Sequence, residues 1–187
     1  MINAAIFASG EGTNAENLFQ HFASDPRIKI KLVVTNRADA GVIARAERYK
    51  KNVQIISKTT LLNYSEKFIE FLQVEKIDLI ILAGFLIKMP DAFIKAFPNR
   101  IINIHPSLLP KYGGKGMYGM HVHEAVIANH EKESGITIHY VNEHYDEGEI
   151  ILQAKCTVEA GDTPDTLSKK IRLLEFEYLP KAVEKFL

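Results

Sequence analysis

The sequence predicts an α/β protein: a doubly wound, mostly parallel sheet with an antiparallel strand pair in its C-terminal half. Three observations predict it. Apolar runs of strand length alternate with runs of helical period through the first half. Those strands are continuously apolar, as in a parallel sheet covered on both faces. Two later strand-like runs are separated only by the short polar turn "EHYDEG", which suits an antiparallel pair.

In chain order, "AAIFA" (4–8) is a buried strand, and "NAENLFQHF" (14–22) is a helix with Ala15, Leu18, Phe19 and Phe22 on one face. "IKLVVT" (30–35) reads as a strand, "ADAGVIARAERY" (38–49) as a helix, "VQII" (53–56) as a strand and "LLNYSEKFIEFLQ" (61–73) as one helix. "IDLIILA" (77–83) is the most apolar strand. A short helix near 90–96 precedes the strand "RIINIH" (100–105). "HVHEAVIANH" (121–130) is helical, and "GITIHYVN" (135–142) and "EIILQAKCTV" (149–158) form the antiparallel pair. The chain ends in a long helix with Thr163 as N-cap and Pro164 at its first position. Leu167, Ile171, Leu174 and Tyr178 share one face there, and Pro180 should kink or end it. The layout is Rossmann-like.

At 187 residues the prior is one domain, with enough chain to bury roughly 70% of its unfolded surface without disulfides or metal. Twenty-three basic residues balance 23 acidic ones, which argues against a nucleic-acid partner. A single cysteine excludes an internal disulfide and makes the cytoplasm the default compartment. The N-terminal apolar run is too short to span a bilayer and has no basic flank, so neither membrane insertion nor secretion is expected.

Three stretches carry candidate chemistry. "SGEGTNAENL" (9–18) is a glycine-containing turn between strand and helix, where backbone N–H groups suit a phosphate. It is neither a dinucleotide fingerprint nor a P-loop. It is equally an ordinary turn capped by Thr13 or Asn14. "NIHP" ends a strand, where α/β sheets bind ligands. Asn103 could donate to a carbonyl oxygen, and His105 could hold a proton, its direction restricted by Pro106. The plainer reading is two polar residues closing a strand. Asp146, in "HYDEGEI", is a turn former by default; near His105 it would raise the imidazole pKa and orient a water. His121 and His123 are two apart on a helix and do not face each other, so no metal is expected. His139 faces away from Ile136 and Ile138, toward solvent or a site wall. Glu175 lies beside the apolar stripe of the last helix.

"SGEGTN", "ILAGFL", "NIHPSLLPKY", "HYDEGEIILQ" and "GDTPDTL", in this order, resemble the folate-dependent formyltransferases over nearly the whole chain. "SGEGTN" points to the branch that formylates glycinamide ribonucleotide. The resemblance implies the formyltransferase fold in a single domain, 1–187. Residues 1–100 would be the ribonucleotide-binding half and 101–187 the catalytic and folate-binding half. It implies transfer of a formyl group from 10-formyltetrahydrofolate to the glycinamide amine in purine biosynthesis, by direct attack through a tetrahedral intermediate. Asn103, His105 and Asp146 match the family's catalytic trio. Gly12, Thr13 and Asn14 would take the ribonucleotide phosphate, and Glu175 would hold the glycinamide. Leu86, Ile87, Lys88, Met89, Asn103, His139 and Asn142 would line the folate site. Folate is then a cosubstrate; no permanent cofactor, metal, nucleic acid or membrane is implied, and the state expected is monomer or weak homodimer.

Two departures from the family pattern stand out. "GGKGMYGM" adds four glycines after "PKY", which reads as a mobile loop or lid. "TTLLNYSEKF" offers no Arg where some relatives carry a folate-contacting one, so that either Lys58 or another cation substitutes or the contact is lost. The alternatives are transfer to another amine, such as methionyl-tRNA or an amino sugar, deformylation of the folate, and nucleotide binding without catalysis. Transferases of the first kind usually carry a further C-terminal domain, and the deformylases an N-terminal regulatory one. A pure binding module has no use for Asn103, His105 and Asp146 together.

Overall fold

The computed structural model describes residues 1–187. Seven strands form one sheet in the order β3-β2-β1-β4-β5-β6-β7. The strands are β1 (Ile2–Phe7), β2 (Ile28–Thr35), β3 (Asn52–Ile55), β4 (Leu79–Leu82), β5 (Ile101–His105), β6 (Glu133–Tyr140) and β7 (Ile150–Thr157). The helices are α1 (Thr13–His21), α2 (Val42–Arg48), α3 (Lys58–Asn63), α4 (Ser65–Val74), α5 (Asp91–Ala96), α6 (Met120–Ala128) and α7 (Pro164–Glu184). The chain divides into two compact units, Met1–Asn103 with Leu187, and Ile104–Phe186.

In the first unit β1 is central, pairing in parallel with β2 and β4. All four residues of β4 are buried, as are Ala4 through Phe7 of β1, as expected of strands covered on both faces. β3 is the edge and is largely exposed, which accounts for its mixed sequence. The chain winds outward from β1 to β3 and then returns to β4 on the other side of β1. That reversal opens a crevice at the carboxyl ends of β1 and β4, the usual ligand position in such sheets.

In the second unit β6 and β7 pair antiparallel as the sequence predicts, with a register shift between Ile138 and His139. α7 starts with a reciprocal cap between Thr163 and Thr166, and Pro164 is at its first position.

Three expectations need correction. Residues 61–73 are not one helix: Tyr64, at φ −128° and ψ 34°, separates α3 from α4. Ser57 caps α3 by accepting from Thr60 N–H, and the Ser65 hydroxyl folds back onto the Leu61 carbonyl. Pro180 does not end α7, which runs on to Glu184. Leu179, Ala182 and Val183 are fully buried, and that packing outweighs the lost hydrogen bond. The turn before α1 is capped by neither Thr13 nor Asn14 but by Gly12, as described below.

α6 buries a histidine. His123 is 5% exposed and its Nδ1 has no hydrogen-bond partner. Burial pushes its imidazole below the ordinary 6.5, and burial does the same to His105. The unfolded chain therefore binds protons that the folded chain refuses. The stability from keeping both rings neutral is complete above about pH 6.5 and is lost as pH falls through their lowered folded values. Urea unfolding between pH 7 and pH 5 should show the midpoint falling with acid. His123→Leu should flatten that fall; an identical slope in the variant would contradict this account.

Candidate active site

Strand β5 ends in Asn103-Ile104-His105. Residues two apart on a strand take the same face, so Asn103 and His105 point to one side. His105 is 4% exposed. Its Nε2 lies 2.7 Å from the Tyr112 carbonyl. A carbonyl only accepts, so Nε2 carries the hydrogen and Nδ1 is the titrating nitrogen. Nδ1 is 3.6 Å from Asp146 Oδ2.

His139, 2% exposed on β6, is fixed in the same way. Its Nδ1 lies 2.7 Å from the Tyr140 carbonyl and must donate to it, leaving Nε2 to face Asp146 Oδ1 at 3.7 Å. Asp146 thus sits between one ring nitrogen of each of two buried imidazoles. With the carboxylate ionised and both rings neutral, two lone pairs face one anion. A proton on His105 Nδ1 turns one of those repulsions into attraction, so His105 and Asp146 titrate together.

The loop that carries Asp146 is held by backbone geometry. Asp146 adopts φ +55°, a left-handed conformation that Asp tolerates better than most residues. Gly148 packs against the Tyr140 carbonyl so closely that a Cβ there would meet the oxygen at 1.7 Å. The inserted glycines also take part, because Gly114 N–H donates to Asp146 Oδ2 at 2.8 Å. The segment read as a lid thus contributes a donor to the carboxylate. Tyr112 OH and Lys111 Nζ both bond Glu131, at 2.9 and 3.0 Å, and anchor its start.

The electrostatics correct one expectation. Asp146 does raise the His105 pKa, but burial is the larger influence and the net shift is downward. For Asp146, burial pushes the carboxyl up, yet the neighbouring His139 and His105 and the Gly114 N–H together hold it below its ordinary value.

In the first unit, Gly12 caps α1 at φ +73° with no side-chain oxygen. The first-turn N–H groups of α1 open at the carboxyl end of β1, a position suited to an anion. The turn is braced by Val42 N–H to the Gly10 carbonyl (3.1 Å), by Arg45 Nε to the Glu11 carbonyl (2.7 Å), and by Arg45 and Arg48 on Glu16. Ser9 accepts from Leu86 N–H at 2.9 Å, which ties this turn to the "LIKM" segment after β4. Ile87 and Met89 are buried there, while Leu86 and Lys88 are exposed. A Cβ at Gly12 would lie 2.5 Å from Val42 in a backbone conformation that costs an L-residue ~1–2 kcal/mol. Gly12→Ala should lower the urea midpoint; an unchanged midpoint would contradict the close packing of this turn on Val42.

Asn142 Oδ1 accepts from His144 N–H in the loop before Asp146, and Glu175 is half-buried on α7. Lys58 is exposed in the first turn of α3. No group of three or more His, Cys, Asp or Glu is gathered to hold a metal ion; His121 is exposed beside Glu124 and His123 is buried. Sequence reading missed the Tyr112 carbonyl and Gly114 N–H, which as backbone groups leave no residue-type signal. It also missed Thr137, two residues before His139 on the same strand face, a spacing that could have marked it.

The sheet thus carries a switch point, and the chain beyond β5 sets Asp146 between two buried imidazoles. The formyl transferase family model matches residues 2–183, and the chain belongs to that family. A chloroplastic phosphoribosylglycinamide formyltransferase of Arabidopsis thaliana is 40% identical over 89% of this chain, which spans only 59% of that relative's length. Phosphoribosylglycinamide formyltransferase of Haemophilus influenzae is 33% identical over the whole chain and 87% of its own. The crystal structure of phosphoribosylglycinamide formyltransferase from Bacillus halodurans superimposes with a TM-score of 0.88 at 34% identity, covering 99% of this chain and 95% of that one. No helix of this protein is long and apolar enough to cross a membrane.

Proposed function

We propose that this chain transfers the formyl group of 10-formyltetrahydrofolate to the amine of glycinamide ribonucleotide, a step of purine biosynthesis. The observation that carries the reading is the His105–Asp146–His139 cluster, with both imidazole tautomers fixed by backbone carbonyls. Relatives named for this activity support it across the length of the chain.

The glycinamide nitrogen attacks the formyl carbon, forming a C–N bond and sending the carbonyl electron pair to oxygen. His105 Nε2–H is committed to Tyr112, so only Nδ1 is left to serve the substrate. Its 3.6 Å separation from Asp146 is too long for a hydrogen bond and leaves room for another acceptor. The proton that Nδ1 takes up as negative charge builds beside it, together with the Asn103 amide, stabilises the oxyanion where it forms. Asp146 faces the resulting imidazolium and orients a water that takes the proton from the amine. Collapse breaks the bond to N10 of the folate, the water hands the amine's proton to N10, and the folate leaves as tetrahydrofolate. Folate is a cosubstrate and is consumed, and no step calls on a metal.

Gly12, Thr13 and Asn14 take the ribonucleotide phosphate and Glu175 the glycinamide. Leu86, Ile87, Lys88, Met89, Asn103, His139 and Asn142 line the folate site. The partners are these two small molecules, the working form is a monomer or weak homodimer, and the compartment is the cytoplasm. Residues 1–100 serve the ribonucleotide and 101–187 the chemistry. The test follows tetrahydrofolate release from 10-formyltetrahydrofolate with and without glycinamide ribonucleotide. Release that requires the ribonucleotide is expected; release without it would point to deformylation.

A further inference from the structure

β6 and β7 hold a polar pair against the segment that follows His105. Thr137 and Gln153 are direct partners in the β6–β7 register. Thr137 is fully buried. Its hydroxyl donates to the Ser107 carbonyl at 2.7 Å and accepts from Leu109 N–H at 3.0 Å. It also accepts from Gln153 Nε2 at 2.9 Å, and the same nitrogen donates to the Leu109 carbonyl at 2.9 Å. A hydroxyl has one donor and two acceptor sites, so Thr137 is saturated.

The bonds continue toward the chemistry. Ser107, fully buried, donates its hydroxyl to the Lys111 carbonyl at 2.6 Å. The next carbonyl, that of Tyr112, fixes the tautomer and direction of His105. Removing the Thr137 hydroxyl would orphan a buried N–H and a buried C=O, a cost the loop can relieve only by moving. Such a movement would carry Tyr112 with it.

We propose that Thr137 and Gln153 are positioning residues: they clamp residues 107–109 so that the Tyr112 carbonyl holds the His105 imidazole in register for oxyanion stabilisation. The proposal rests on the formyl-transfer reading. Neither residue touches the reacting atoms, so the clamp acts on turnover and leaves ribonucleotide binding alone.

The experiment compares Thr137→Val, Thr137→Ser and Gln153→Ala with the wild-type protein. It measures kcat, both KM values and the titration of His105 by NMR of histidine-labelled protein. Thr137→Val should lose about 10- to 100-fold in kcat, the scale of a small misplacement of a catalytic group, with the ribonucleotide KM within about twofold. Its His105 midpoint should move toward 6.5 as the site admits water. Thr137→Ser keeps the hydroxyl and should recover most of the activity. Gln153→Ala, at an exposed position that tolerates truncation, should fold normally and show a smaller loss in the same direction. Wild-type kcat together with an unmoved His105 titration in Thr137→Val and Gln153→Ala would overturn the proposal. A wild-type protein that transfers no formyl group would sink the functional reading instead, and the titration would still decide the clamp.

Discussion

Asp146→Asn should lower kcat by about 10²- to 10⁴-fold, the range associated with losing a proton-transfer group. The substitution keeps shape and volume, so the fold should hold and the ribonucleotide should bind with nearly unchanged Kd. The defect lies in the protons. An Asn amide can donate to the lone pair on His105 Nδ1, which Asp146 faces at 3.6 Å. That would lock the imidazole neutral, in the tautomer that the Tyr112 carbonyl already imposes. The variant would also lose the one negative charge that works against burial at His105. Steady-state kinetics beside calorimetric binding of the ribonucleotide would check this. A kcat within a few-fold of wild type would remove Asp146 from the chemistry.

His105→Ala should cost about 10²- to 10³-fold in kcat, as expected when one preorganised oxyanion donor is lost. The two variants should not add. Both disable the same proton-sharing unit, so the double variant should be scarcely slower than the worse single one. The pH–rate profile supplies a second check. Any alkaline limb that reports loss of the proton on Nδ1 in wild type should vanish in His105→Ala, because that nitrogen is gone. Fully additive losses, or a preserved limb, would mean that His105 and Asp146 act separately.

Much of this architecture is legible in the sequence because the central strands are buried on both faces and so cannot tolerate polar residues. "LIIL" in β4 and "LVV" in β2 announce themselves in that way. The break at Tyr64 is not legible, since "LLNYSEKF" keeps a helical apolar spacing across it and only local φ and ψ reveal the stop. Pro180 misleads for the opposite reason. A strong local rule gives way to the burial of Leu179, Ala182 and Val183, which no local window contains.

In the site, residue type and position only raised Asn103, His105 and Asp146 as candidates and the family resemblance joined them; the structure brings His105 and Asp146 within 3.6 Å. The net direction of the His105 shift was not legible, because it depends on how deeply the ring is buried, and a sequence shows a neighbouring charge more readily than a missing solvent. Thr137 and Gln153 were passed over because neither titrates. Their importance comes from hydrogen bonds to the backbone of residues 107–109, which no side-chain pattern encodes.

The most direct test of the account follows the formyl carbon itself. The protein would be mixed in a single turnover with 10-formyltetrahydrofolate carrying ¹³C in the formyl group and with glycinamide ribonucleotide, and the products read by NMR and mass. The account predicts the label in a new amide on the glycinamide nitrogen, with one tetrahydrofolate released for each label transferred. Label appearing as free formate, or remaining on the folate while the ribonucleotide stays unmodified, would contradict it.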